Sequence, residues 1–133
     1  YVSNKQKTFV KNLFSSNGKI IEIKESQMDA ITAISGSGPA YIFYISEIMQ
    51  KVAKRFGFND KNSKMIVNQT ILGAAQMLNL SNSTAEKLKQ EVTSKGGTTE
   101  QALKFFYKKG LEKIFFAAIT KAKLRAKELS KMF

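Results

Sequence analysis

Residues 39–56 carry the constraint that most narrows the fold. Pro39 suits the first position of a helix, where a missing N–H costs nothing. Ala40, Tyr41, Ile42, Phe43, Tyr44, Ile45, Ile48 and Met49 then put apolar side chains on nearly every side of the helix's first half. A helix of that kind must be covered on most sides. In a chain of 133 residues the cover comes either from other helices of the same chain or from a second copy. Periodicity leaves both open. The length suits one compact domain with a stub of another, large enough for a core without disulfide or metal staples.

Helical patterning fills most of the remaining sequence. Residues 8–16 read as a short amphipathic helix with Phe9, Val10, Leu13 and Phe14 on one side, stopped by Asn17-Gly18. Lys19–Lys24, with Ile20-Ile21-Glu22-Ile23, reads as a strand and is the chain's one strand candidate. A lone strand cannot satisfy its own hydrogen bonds. It therefore pairs with a second copy, or its sheet lies in sequence absent here. The first residue is Tyr1 rather than Met, which agrees with a fragment, a processed product or an excised domain. Ser26 is read as the cap of a helix carrying Met28, Ile31 and Ile34, and residues 35–38 break it. Gly57 ends the apolar helix and Asn59-Asp60 caps the next, over residues 61–80. Ser83-Thr84-Ala85-Glu86 reads as a capping box for a short helix to Val92. Two more helices follow, residues 99–109 ending at Gly110 and residues 111–131. Ala102, Leu103 and Phe106 are expected to face inward from the first, and Leu111, Ile114, Phe115, Ala118, Ala122 and Leu129 from the second. The expected fold is all-α: a helical bundle with a short helix-strand stub at its N-terminus.

Composition removes much chemistry. With no Cys and no His, disulfides, thiolate nucleophiles, Ser-His triads and nearly all transition-metal sites are excluded, so no metal is expected. The longest apolar runs, residues 40–45 and 114–119, are too short to cross a bilayer. No signal peptide is visible, and a cytoplasmic protein with no membrane partner is the expectation. The net charge of +12 admits a nucleic-acid partner, but nearly all of it is Lys. The arginines, which read bases and fork onto phosphates, are Arg55 and Arg125 alone. Scattered Lys on helix faces is read as a solvated surface.

Chemistry is concentrated in two glycine-bearing segments. Thr93-Ser94-Lys95-Gly96-Gly97-Thr98-Thr99 feeds a helix, with Thr98 read as its N-cap and Gln101 completing a capping box. Free N–H groups at the positive end of the helix dipole suit a small anion such as a carboxylate. The second segment is Ser35-Gly36-Ser37-Gly38-Pro39.

Ile31-Thr32-Ala33-Ile34-Ser35-Gly36-Ser37-Gly38-Pro39-Ala40-Tyr41, preceded by Asp29-Ala30, resembles the D-A-(V/I)-T-A-(L/I)-S-G-S-G-P-A-Y signature of pyrroline-5-carboxylate reductases. Leu72-Gly73-Ala74-Ala75-Gln76-Met77 is similar to that family's L-G-A-A-K-M, and Val92-Thr93-Ser94-Lys95-Gly96-Gly97-Thr98-Thr99 to its V-T-S-P-G-G-T-T. Order and spacing agree from about Leu13 to the C-terminus.

The resemblance implies reduction of L-1-pyrroline-5-carboxylate to L-proline with NADPH or NADH, the last step of proline synthesis. It implies an N-terminal dinucleotide-binding domain and a C-terminal helical domain. The helical domain forms an intertwined homodimer, often built into larger homo-oligomers. Residues 1–24 then correspond to the end of the cofactor domain, and residues 25–133 to the helical substrate-binding and dimerisation domain. Residue by residue, the backbone of Gly96, Gly97, Thr98 and Thr99 takes the substrate carboxylate. Thr99 supplies the hydroxyl that meets the substrate ring nitrogen, an orienting role, with solvent as the proton source. Val92 and Ser94 line the pocket wall, while Ser35, Gly36, Ser37, Gly38 and Pro39 shape the pocket and the dimer.

Two departures stand out. Lys95 replaces the family Pro, which loosens the loop and adds a donor and a positive charge. No G-x-G-x-x-G follows a strand, so the main cofactor site is not expected in this chain, which alone should not turn over substrate. The alternatives are a basic helical nucleic-acid-binding module, supported by net charge, and a related oxidoreductase domain acting on another imine or small carboxylic acid.

Overall fold

The computed structural model describes residues 2–16 and 18–132. The expected stop at Asn17 lies outside the described residues. The first helix, α1 (Asn4–Ser15), begins a turn earlier than its apolar pattern because Ser3 and Gln6 close a capping box. Ser3 Oγ accepts the Gln6 N–H at 3.3 Å, and Gln6 Oε1 accepts the Ser3 N–H at 2.8 Å. Residues 19–24 run beside α1. Lys11 Nζ lies 2.7 Å from the Glu22 carboxylate, and Val10, Ile20 and Ile23 share a groove. The strand expected there is not formed: among the described residues none is in a β-ladder. Nothing among the described residues offers its backbone a pairing edge.

Glu25–Gln27 form one turn of 3-10 helix, in which Gln27 Oε1, not Ser26, makes the capping contact, to the Lys24 N–H at 3.0 Å. Next, α2 (Met28–Ile31) passes directly into a π-helical turn, Thr32–Gly36. The Ser37 N–H reaches back five residues to the Thr32 carbonyl at 2.9 Å. Residues 35–38 thus do not simply break a helix. They widen it before α3 (Gly38–Arg55) begins, and Pro39 falls second in α3 rather than first. Wide turns of this kind are concentrated at functional sites.

The left-handed Gly57 (φ 95°) ends α3. Asn59 then caps α4 (Asp60–Leu80), its Oδ1 accepting the Asn62 N–H at 2.8 Å. The two helices pack as an antiparallel hairpin, with Gln50 Nε2 donating to Ser46 Oγ at 3.0 Å and Asn68 Oδ1 at 3.4 Å. Thr84 caps α5 (Ala85–Glu91) by accepting the Lys87 N–H at 3.2 Å. The capping box read from Ser83 and Glu86 is not formed: the cap falls one residue later, at Thr84 in extended conformation, and Glu86 lies inside the helix. After the glycine loop come α6 (Thr98–Lys108) and α7 (Leu111–Leu129), separated by the left-handed Gly110 (φ 69°). Helix α7 packs against α2, the π turn and α6.

Within one chain this fold has almost no core. Among the described residues, Ala33 and Val67 are the buried hydrophobic ones, joined by Ser63. The accessible surface is 11,710 Å², against about 7,000 Å² for a compact monomer of this size. Phe43 on α3 is 71% exposed and Phe116 on α7 is 76% exposed. Side chains whose spacing places them inward, such as Ile42, Phe106 and Ile114, also stand in the open. The cover that α3 demands is not supplied by its own chain.

Candidate functional site

The loop between α5 and α6 is built by short-range bonds. The Thr93 N–H closes the end of α5 on the Gln90 carbonyl at 3.0 Å, and Thr93 Oγ1 donates to the Lys89 carbonyl at 2.6 Å. Gly96 adopts φ 76°, a left-handed conformation that favours glycine. The Gly97 N–H bonds to the Ser94 carbonyl at 3.0 Å. A Cβ at Gly97 would overlap Ser94 Oγ and come within 3.1 Å of the Ser94 carbonyl oxygen.

Gly97, in extended conformation, is the N-cap of α6, and Thr98 is its first residue. The expected Thr98–Gln101 capping box is therefore absent. With the cap one residue earlier, the third helical position falls to Glu100. Its Oε2 accepts the Gly96 N–H at 2.9 Å and lies 3.2 Å from Lys104 Nζ. The Gly96 N–H first, and Lys104 next, hold this carboxyl below the usual carboxylate range.

These bonds decide which donors stay free. The N–H groups of Gly96 and Gly97 are both engaged within the loop. Those of Thr98 and Thr99, first in the helix, have no intrahelical acceptor and meet no other among the described residues. Both sit at the positive end of the α6 dipole, where a carboxylate is stabilised. Thr99 is half-buried, whereas Ser94 is exposed. Val92 lies on the other side, against a groove formed by Ala74, Met77 and Leu88 of α4 and α5.

Beside the loop, α5 and α6 border an open groove of about 320 Å³ lined by Lys89, Thr93, Glu100, Leu103, Lys104 and Tyr107, among others. Lys89 Nζ donates to the Tyr107 hydroxyl at 2.9 Å, which raises the Lys89 pKa. Sequence reading missed both Glu100 and this Lys89–Tyr107 pair. The first had a signal, an acidic residue in the first turn of a helix. The second joins residues on different helices and had none.

The Ser35–Pro39 segment is not packed on the start of α6 within one chain. The π turn packs against α2, α3 and α7, and α6 against α7. Tyr41 fixes the turn by donating its hydroxyl to the Ala33 carbonyl at 3.0 Å. Ser37 and Gly38 are half-buried, and Ser35, Gly36 and Pro39 are exposed. Among the described residues there is no cluster of metal-ligating side chains, and no helix is long and apolar enough to cross a membrane.

Residues 25–129 match the family described as pyrroline-5-carboxylate reductase dimerisation. The chain belongs to this family. It is 38% identical over 130 residues to pyrroline-5-carboxylate reductase 1 of Bacillus subtilis, covering 98% of this chain and 44% of that protein. The structure of a pyrroline-5-carboxylate reductase from Coxiella burnetii superposes with a TM-score of 0.91 at 41% identity, covering 96% of this chain and 48% of that one. The reductase of Plasmodium falciparum, solved with NADP bound, gives 0.87 at 35% identity, covering 96% and 51%. The chain thus spans about half the length of the relatives it matches. The all-helical architecture agrees with a dimerisation domain of such reductases.

Proposed function

We propose that this chain is the substrate-binding and dimerisation part of a cytoplasmic pyrroline-5-carboxylate reductase, which reduces L-1-pyrroline-5-carboxylate to L-proline. The observation that carries this reading is the match of residues 25–129 to the dimerisation family, with the free Thr98 and Thr99 N–H groups at the start of α6. In this reading the substrate carboxylate bonds to those two N–H groups, and the Thr99 hydroxyl holds the ring nitrogen. Ser94 borders the pocket, and Gly96 and Gly97 shape it through their backbone. Thr99 orients the imine and solvent supplies the proton, since a threonine hydroxyl is a poor acid.

NADPH or NADH supplies the hydride when bound. This sequence has no glycine-rich turn between a strand and a helix to cradle a dinucleotide diphosphate. The reading therefore assigns the cofactor to a separate dinucleotide-binding domain, of which residues 1–24 form the end, while residues 25–133 form the helical domain. A second copy covers the open faces of α3 and α7 in an intertwined homodimer, which can build into larger homo-oligomers. The dimer also brings Ser35–Pro39 toward the pocket, a juxtaposition one chain does not make. No nucleic acid, membrane or metal enters this reading, and the lysines act as a solvated surface.

The test is the kinetics of Thr99→Ala in the protein carrying both domains, with pyrroline-5-carboxylate and NADPH. Loss of one orienting hydrogen bond should lower kcat by about tenfold, equivalent to ~1.4 kcal/mol, with the oligomer intact. Unchanged kinetics would remove Thr99 from the site.

A further inference from the structure

We infer that Glu100 is a positioning residue for the carboxylate-binding loop: its carboxylate, held between the Gly96 N–H and the Lys104 ammonium, fixes the loop before substrate arrives and leaves the Thr98 and Thr99 N–H groups to the ligand. The inference rests on the substrate-site reading above. Ser94-Lys95-Gly96-Gly97 contains no residue that restricts its own backbone, and Gly96 stands in a left-handed conformation. Left alone, such a loop samples many shapes. The bond from the Gly96 N–H to Glu100 Oε2, 2.9 Å, is the side-chain tie between this loop and the rigid first turn of α6. Lys104, one turn further on, approaches the same oxygen at 3.2 Å and sets its direction. The Glu100 side chain is 28% exposed, so part of its contact is shielded from water.

The tie has a second consequence. A loop with every amide free would offer a carboxylate several competing poses. Here Glu100 occupies the Gly96 donor and the Ser94 carbonyl occupies the Gly97 donor. The free amides at the helix start are then the consecutive N–H groups of Thr98, Thr99 and Glu100, so the anion's seat lies on the first turn of α6 rather than in the loop. The ordering cost is met on folding rather than on binding, which improves affinity without touching the chemical step.

The test compares wild type, Glu100→Ala and Glu100→Gln in the protein carrying both domains, by steady-state kinetics and by hydrogen exchange at the Gly96 amide. Glu100→Ala should raise KM for pyrroline-5-carboxylate by roughly tenfold with kcat within about twofold, and should expose the Gly96 amide to fast exchange. Glu100→Gln keeps an acceptor oxygen and should restore most of both. A Gly96 amide that exchanges in wild type as fast as in an unstructured peptide would overturn the inference. So would a Glu100→Ala protein with wild-type KM, or a Glu100→Gln protein as impaired as Glu100→Ala. If wild type shows no pyrroline-5-carboxylate-dependent activity, the substrate reading falls, and the exchange data alone decide whether Glu100 holds the loop.

Discussion

Sedimented at micromolar concentration, this chain is expected to run as a dimer or larger assembly with no detectable monomer. The ground is the surface left open by one chain: 11,710 Å² accessible, about 4,700 Å² more than a compact monomer of its size exposes. That excess is rich in large apolar side chains of α3 and α7, with Phe43 and Phe116 among the most exposed. A protein folded only as an assembly gains stability with concentration. Each tenfold rise should stabilise the folded dimer by about 1.4 kcal/mol, read as a rising Tm. Phe43→Asp should weaken assembly by roughly 10³-fold, about 4 kcal/mol, the usual cost of deleting a buried aromatic side chain. A Tm independent of concentration, together with a monomeric boundary, would refute the open-face account.

Gly97→Ala is expected to lower kcat/KM by roughly tenfold, less than the ~10²-fold scale of misplacing a binding element by about 1 Å. Gly97 has φ −78° and ψ 171°, which alanine adopts without strain, so the obstacle is space. The new methyl group would overlap Ser94 Oγ and press on the Ser94 carbonyl, 3.1 Å away, which accepts the Gly97 N–H. Ser94 Oγ can rotate aside, but relief at the carbonyl requires the loop backbone to give by a few tenths of an ångström, and the Thr98 and Thr99 donors move with it. Adding Ser94→Ala removes one of the two collisions. The double variant should therefore lose less than the two single losses combined, a coupling expected of residues in contact. Wild-type kinetics in Gly97→Ala would show that the loop has room the structure does not give it.

Much of this was legible in the sequence because helices announce themselves locally. Asn59, Gly57 and Gly110 mark helix ends through the conformations they favour, and each does so in the structure. The glycine loop and Ser35–Pro39 were also visible as segments. What failed was register at the level of one or two residues. Thr98, Ser83 and Ser26 all have the chemistry of a cap, but Gly97, Thr84 and Lys24 hold the extended cap conformation, and neighbouring bonds choose between them. The shift at Thr98 matters most, because it moves the third helical position to Glu100 and takes the Gly96 amide out of the free set. The strand at residues 19–24 was read from β-branched residues, a preference that needs a neighbouring strand to be realised. The π turn could not be seen at all. Small residues permit it, yet only the Ser37–Thr32 bond shows that the helix widens instead of stopping.

The most direct measurement is pyrroline-5-carboxylate-dependent oxidation of NADPH, made side by side on a polypeptide carrying this chain behind a dinucleotide-binding domain and on the chain by itself. The account predicts turnover in the first and none in the second, because it assigns the substrate site to α6 and its loop and the cofactor to a separate domain. Turnover in neither would contradict the assignment as a reductase, and turnover by the chain alone would contradict the division of labour between the two domains.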